Sequence, residues 1–135
     1  MKKIGFLLLA LVLSTSFLVA QNNNEGNDKK APKAEFKSGE HNFGKIKSSD
    51  GPVTCVFSFK NVGNAPLIIQ RVQASCGCTS PSYTAEPILP GKEGQITVKY
   101  TSVNNPGAFD KKLTVFTNAP SEVYILSVKG EVVLK

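Results

Sequence analysis

The chain has 135 residues, with 16 Lys and Arg against 10 Asp and Glu. That is length for a single domain. The lysines are scattered singly or in pairs from Lys45 to Lys129, and no basic stripe with interleaved aromatics appears, which argues against nucleic acid as a partner.

Met1-Lys2-Lys3 precedes an apolar run over residues 4–13 and then Ser14-Thr15-Ser16-Phe17-Leu18-Val19-Ala20. A basic tip, an apolar centre and a small residue at the exit read as a secretory signal peptide over residues 1–20, cut after Ala20. Leu18, at the third position before the cut, is larger than such sites favour. The alternative is an uncleaved anchor, but the run is short of the roughly 20 residues a span needs. No cysteine lies near the cut to carry a lipid, and nothing later is apolar enough to cross a bilayer, so no stable membrane span is expected after cleavage. Losing Lys2 and Lys3 leaves 14 basic against 10 acidic residues. The expected location is the periplasm or the exterior, where disulfides persist.

Residues 21–33 are Asn, Gly and charge with little to bury, and read as a disordered tether. The folded domain is expected over residues 34–135. From there the pattern is short strands with turn punctuation. Residues 34–38 and 41–46 are the first two strands, split by Gly39. Val53, Cys55, Phe57 and Phe59 alternate with Thr54, Val56, Ser58 and Lys60, the period-2 signature of a half-buried strand. Asn61-Val62-Gly63-Asn64-Ala65-Pro66 is a turn by composition. Residues 67–74 form a fourth strand. Residues 75–90 read as irregular and carry Pro81, Pro87 and Pro90; Pro90-Gly91 is a turn signal. Residues 95–101 place Ile96, Val98 and Tyr100 on one face. Asn104-Asn105-Pro106-Gly107 is another turn, and residues 108–118 and 123–134 are the last strands. The expected fold is all-β: an immunoglobulin-like β-sandwich of about seven strands. It lacks tryptophan, and its cysteine spacing does not suit the inter-sheet bridge of antibody domains.

Three cysteines leave at least one thiol free, metal-bound or paired with another molecule. Cys55 shares strand parity with Phe57 and Phe59 and reads as a core cysteine, a small buried hydrophobe; the alternative is a bridge to a loop cysteine. Cys76 and Cys78 are one residue apart. A direct bridge requires Cα atoms roughly 4.4–6.8 Å apart, which Gly77 eases if it adopts positive φ. Such a bridge is either a labile redox pair or a structural pin for a long loop, the default for a small exported domain. Otherwise two thiolates could chelate a soft ion. Zinc lacks further ligands here, because His41 is the only histidine and reads as a surface residue, so copper is the metal to consider. Ser75, Gly77 and Thr79 are the expected loop support. No nucleophile–base set, Gly-x-Ser-x-Gly elbow or carboxylate pair is visible, and no catalytic residue is assigned.

From about His41 to Val132 the chain resembles DUF1573, a bacterial domain family of unknown function. The resemblance rests on several stretches: Phe43-Gly44; the run from Phe57-Ser58-Phe59 through Asn61-Val62-Gly63-Asn64-Ala65-Pro66 to Ile69; Ser75-Cys76-Gly77-Cys78-Thr79; Pro90-Gly91-Lys92-Glu93-Gly94; and Val115-Phe116-Thr117-Asn118 with Gly130. It implies an exported immunoglobulin-like sandwich, common in Bacteroidota and similar to the wider group of sandwich modules that serve as interaction scaffolds. It supplies no enzymatic activity. The expected function is an exported, non-catalytic binding or scaffolding module of the cell envelope with a protein partner. The alternative is a thiol role of Cys76 and Cys78 in copper binding or disulfide exchange. No other cofactor is expected.

Overall fold

The structure, a computed structural model, describes residues 30–102, 106–120 and 122–134. The expected signal peptide, most of the expected tether, and Asn104 and Asn105 of the third turn lie outside the described residues.

Among the described residues, eight strands form two four-stranded sheets: β1 (Ala34–Phe36), β2 (Glu40–Lys47), β3 (Val53–Asn61), β4 (Ile69–Ala74), β5 (Thr79–Tyr83), β6 (Glu93–Tyr100), β7 (Gly107–Thr117) and β8 (Val123–Val133). One sheet runs β1-β3-β6-β5 and the other β2-β8-β7-β4. All neighbours are antiparallel except β2 and β8, which are parallel, with Glu40 opposite Ser127. If β1 and β2 are taken as two halves of one edge strand, this is the strand order of an immunoglobulin-like sandwich. The chain changes sheets across Lys37, Ser38 and Gly39.

Alternation puts the core where it was expected. Phe57 and Phe59 of β3, Ile96 and Val98 of β6, Leu113 and Val115 of β7 and Leu126 and Val128 of β8 are buried between the sheets with Leu67, Ile69 and Ile88. Gly94 sits opposite Phe59, and a Cβ there would lie 2.5 Å from both Phe59 Cζ and Ile88 Cδ1. A second, smaller cluster closes one end of the sandwich. Ile46, Tyr100 and Val132 are buried there, with Phe43, Val53, Cys78 and Phe109 packed around them. The Tyr100 and Phe109 rings stack at 4.0 Å.

Two expectations need correction. Residues 75–90 are not wholly irregular: β5 lies within them, paired with β6 from Thr79↔Tyr100 to Tyr83↔Ile96. It is a five-residue edge strand containing Pro81, a position where a missing N–H costs no ladder bond. Its inward set is Thr79, Pro81 and Tyr83, against exposed Ser80 and Ser82, too weak in apolar contrast to read from sequence. The fourth strand also starts later than expected, at Ile69, because Leu67 instead makes an isolated bridge with Ile88.

The turn after β3 is organised by one side chain. Asn61 is fully buried. Its Nδ2 donates to Ala65 O at 2.7 Å and to Ile88 O at 2.8 Å. Its Oδ1 accepts from Gly63 N at 3.0 Å and Lys33 N at 3.3 Å. Asn118 does similar work from β7's end, accepting from Ile68 N at 2.8 Å and donating to Pro66 O at 3.0 Å. Composition announces a turn here, but not that two asparagines stitch it to the rest of the fold.

Candidate functional site

β4 and β5 belong to opposite sheets, so the chain between them crosses one end of the sandwich. The crossing is the stretch Ser75 to Cys78, and the structure joins Cys76 to Cys78, with Cα atoms 5.4 Å apart. The turn is anchored on both sides of the bridge by backbone bonds. Ser75 N donates to Lys112 O at 2.9 Å, and Lys112 N returns a bond to Ser75 Oγ at 3.2 Å. Thr79 N donates to Cys76 O at 3.3 Å, closing the turn, and Thr101 N donates to Cys78 O at 2.8 Å. The Thr79 hydroxyl, buried at the head of β5, lies 3.7 Å from Cys76 Sγ and 3.8 Å from Cys78 Sγ.

The two sulfurs have different surroundings. Cys78 packs against the end cluster of Ile46, Tyr100 and Val132. Cys76 is half-buried but belongs to neither apolar cluster. Gly77 is exposed, a Cβ on it would meet no atom within 4 Å beyond its two neighbours in the chain, and its φ is not in the left-handed region. The expected reason for glycine, a positive φ that eases the bridge, does not hold. Neither backbone strain nor internal packing requires glycine at this position.

The size of the ring weighs on its structural value. Closing a three-residue loop removes roughly 1.5 kcal/mol of unfolded-chain entropy, against about 4.7 for a hundred-residue loop. With four hydrogen bonds already holding the turn, the bridge adds little as a pin. Cys55 stands apart. It is 5% exposed in the main core, a free thiol opposite Val98, and burial pushes its pKa up to about 11. His41 is exposed on β2 with its ring edge-on to Phe43 at 4.6 Å. Among the described residues, no group of three or more His, Cys, Asp or Glu is placed to hold a metal ion.

A second feature lies along β8. β2 begins at Glu40, opposite Ser127, so residues 123–126 of β8 have β7 on one side and no described strand on the other. Ser127 N donates to Gly39 O at 2.9 Å. Strand parity therefore turns the backbone groups of Ile125 and Val123 toward that open edge. Their side chains face out of the sheet, 56% and 53% exposed. Phe116, opposite Val123, extends the apolar surface, and the Arg71 guanidinium covers its ring at 4.0 Å. The signal was present in the sequence: Val123, Ile125, Leu126 and Val128 make the strand apolar on both faces, the pattern of a strand covered on both sides. Here only one side is covered by the described residues.

At the inner face of this edge, the Tyr124 hydroxyl accepts from Ala34 N at 3.0 Å and donates to Glu122. Burial, and then the Glu122 carboxylate, push its pKa up to about 12. Among the described residues no helix is long and apolar enough to cross a membrane.

A family model described as a protein of unknown function, DUF1573, matches residues 34–132. No curated protein matches the chain. Among solved structures, a protein of unknown function from Porphyromonas gingivalis W83 is similar with a TM-score of 0.66 at 18% identity, over 76% of this chain and 47% of that one. A family 123 glycoside hydrolase from Clostridium perfringens has a TM-score of 0.59 at 10% identity, over 78% of this chain and 27% of its own. The VesB protease of Vibrio cholerae has a TM-score of 0.55 at 12% identity, over 76% and 31%. The chain thus spans about half or less of the length of these proteins. At such identities the likeness is one of fold.

Proposed function

We propose, from the premise that this chain belongs to the DUF1573 family, that it is an exported, non-catalytic binding module of the bacterial cell envelope that takes a partner's extended segment at the open edge of β8. The observation that carries this reading is the coincidence, at Val123 and Ile125, of backbone groups turned to the open edge and outward apolar side chains. Strand addition uses those two elements together. Main-chain hydrogen bonds supply affinity, and alternate side chains supply selectivity. The partner segment is one with apolar residues at every second position, able to cover Val123 and Ile125. The basic, apolar N-terminus supports export.

Proline tests the edge. Because the Ile125 amide points away from β7, Ile125→Pro removes an edge donor and leaves the β7 ladder intact. A photo-cross-linker at Val123 in cells is expected to give a discrete adduct with a second protein. Ile125→Pro is expected to abolish that adduct, and a cross-linker at exposed Thr54, on the other sheet, to give none. A Val123 adduct that survives Ile125→Pro, or one that contains only a second copy of this chain, would overturn the reading.

A further inference from the structure

We propose that the Cys76–Cys78 bridge is a two-electron thiol–disulfide exchange site for dithiol proteins, with Cys76 as the sulfur attacked. This goes beyond the β8 edge and lies far from it. Cys78 packs beside Val132, and nine residues of strand, roughly 30 Å, separate Val132 from Val123.

Three observations combine. The bridge restrains too short a loop to be worth much as a pin, and the turn is hydrogen-bonded without it. The two cysteines differ in their neighbours, since Cys78 rests on the end cluster while Cys76, half-buried like it, lies outside both apolar clusters. Finally, Gly77 is exposed, and a Cβ on it would meet nothing within 4 Å beyond its two neighbouring cysteines, so the turn between them faces solvent. Exchange requires access of an attacking sulfur along the disulfide axis, and a partner protein brings its backbone with it. A residue without a side chain between the two cysteines allows that approach.

The chemistry balances within the two partners. One thiolate of the dithiol attacks Cys76 Sγ, forming a mixed disulfide. The Cys76–Cys78 bond breaks and its electron pair leaves on Cys78 Sγ, within reach of the Thr79 hydroxyl at 3.8 Å. The partner's second thiol, deprotonated, then attacks its own sulfur in the mixed disulfide and releases Cys76 as thiolate. The partner ends oxidised to a disulfide, and this chain holds two thiols after taking up two protons. Cys55, buried in the main core, takes no part.

The test uses the folded, oxidised chain with two reductants: reduced thioredoxin as a dithiol protein, and dithiothreitol as a small dithiol. Alkylation and peptide mass are expected to show labels on Cys76 and Cys78, none on Cys55, and a retained cooperative melt. Gly77→Val is expected to slow reduction by thioredoxin about tenfold through lost access, and to leave the dithiothreitol rate within about twofold. Of the single-thiol variants, each first charged as its mixed disulfide with thionitrobenzoate, Cys78→Ser is expected to pass to a mixed disulfide with a single-cysteine thioredoxin through Cys76, releasing thionitrobenzoate, faster than Cys76→Ser does through Cys78. Resistance of the folded chain to thioredoxin, or labelling that occurs only as the domain unfolds, would overturn the proposal. So would equal effects of Gly77→Val on both reductants, a result that does not depend on the single-thiol variants folding. Ile125→Pro is expected to leave the exchange rate unchanged, which separates failure here from failure at the β8 edge.

Discussion

At the scale of single residues, two polar side chains hold much of the fold's specificity. Asn61 satisfies four backbone groups at once from a fully buried position. Asn61→Leu leaves the Lys33 and Gly63 N–H groups and the Ala65 carbonyl without this partner, while the Ile88 carbonyl keeps its bond from Leu67 N, and a buried unpaired group costs about 1–3 kcal/mol. The expected loss is about 3 kcal/mol or more, read by urea denaturation; a loss under about 1 kcal/mol would show the bonds to be replaceable by water. Tyr124 gives the chain an alkaline limit. Burial, and then the Glu122 carboxylate, push its pKa from the ordinary 10.0 up to about 12. A raised folded value means stability that is complete below the unfolded value and lost as pH climbs through the folded one. Cys55 adds a similar loss as pH rises from 9.0 to about 11. Stability is therefore expected to fall from pH 9 upward, and Tyr124→Phe to flatten the part between 10 and about 12. The same variant lowers stability at neutral pH by about 1 kcal/mol, because the Ala34 N–H loses its acceptor. Identical alkaline profiles for the two proteins would remove Tyr124 from this account. Neither role was legible in the sequence. Asn61 reads as one more turn residue, and nothing in residues 122–124 shows that Tyr124 reaches the other sheet.

At the scale of elements, legibility followed apolar contrast. The strand carrying Cys55, Phe57 and Phe59 announces its buried face by strict alternation, and β6 does the same through Ile96, Val98 and Tyr100. β5 has the same alternation, but its inward set includes a threonine and a proline, so it was hidden among turn-like residues. The division of the edge strand between β1 and β2 was legible only as a break at Gly39; which sheet each half joins depends on pairings far away in the chain. The packing of β3 on β6 yields its own prediction. Gly94→Ala would drive a Cβ to 2.5 Å from Phe59 and Ile88, so the two core side chains must move, at about 1–3 kcal/mol. A lower thermal midpoint with an unchanged circular dichroism spectrum is expected. No change in midpoint would mean that the Phe59 ring yields freely. At the bridge, the spacing Cys76-Gly77-Cys78 named the residues. It did not reveal that one sulfur leans on the end cluster and the other does not, because that asymmetry comes from Tyr100, Phe109 and Val132 on three other strands.

At the scale of the whole molecule, the sandwich is closed by pairings between distant parts of the chain. β2 lies beside β8, held by the parallel ladder and by the Lys129–Glu40 ion pair at 2.6 Å. Such a topology folds in milliseconds to seconds, more slowly than helical proteins of the same size, and a stopped-flow refolding phase in that range is expected. Reduction of the bridge is expected to lower the melting midpoint by roughly 10 °C or less, given about 1.5 kcal/mol of loop entropy in a domain of this size. Complete unfolding on reduction would restore the structural-pin reading. The direction in which the chain enters the sandwich has a further consequence. Residues 31–33 run along Val62, Gly63 and Asn64 at the end where β8 begins, whereas the Cys76–Cys78 turn caps the opposite end. The molecule therefore has a root and a tip. If whatever precedes Lys30 is fixed to a surface, the β8 edge is held close to that surface, within reach of neighbours embedded in it. The bridge is carried outward by the length of the sandwich, and meets only what diffuses past.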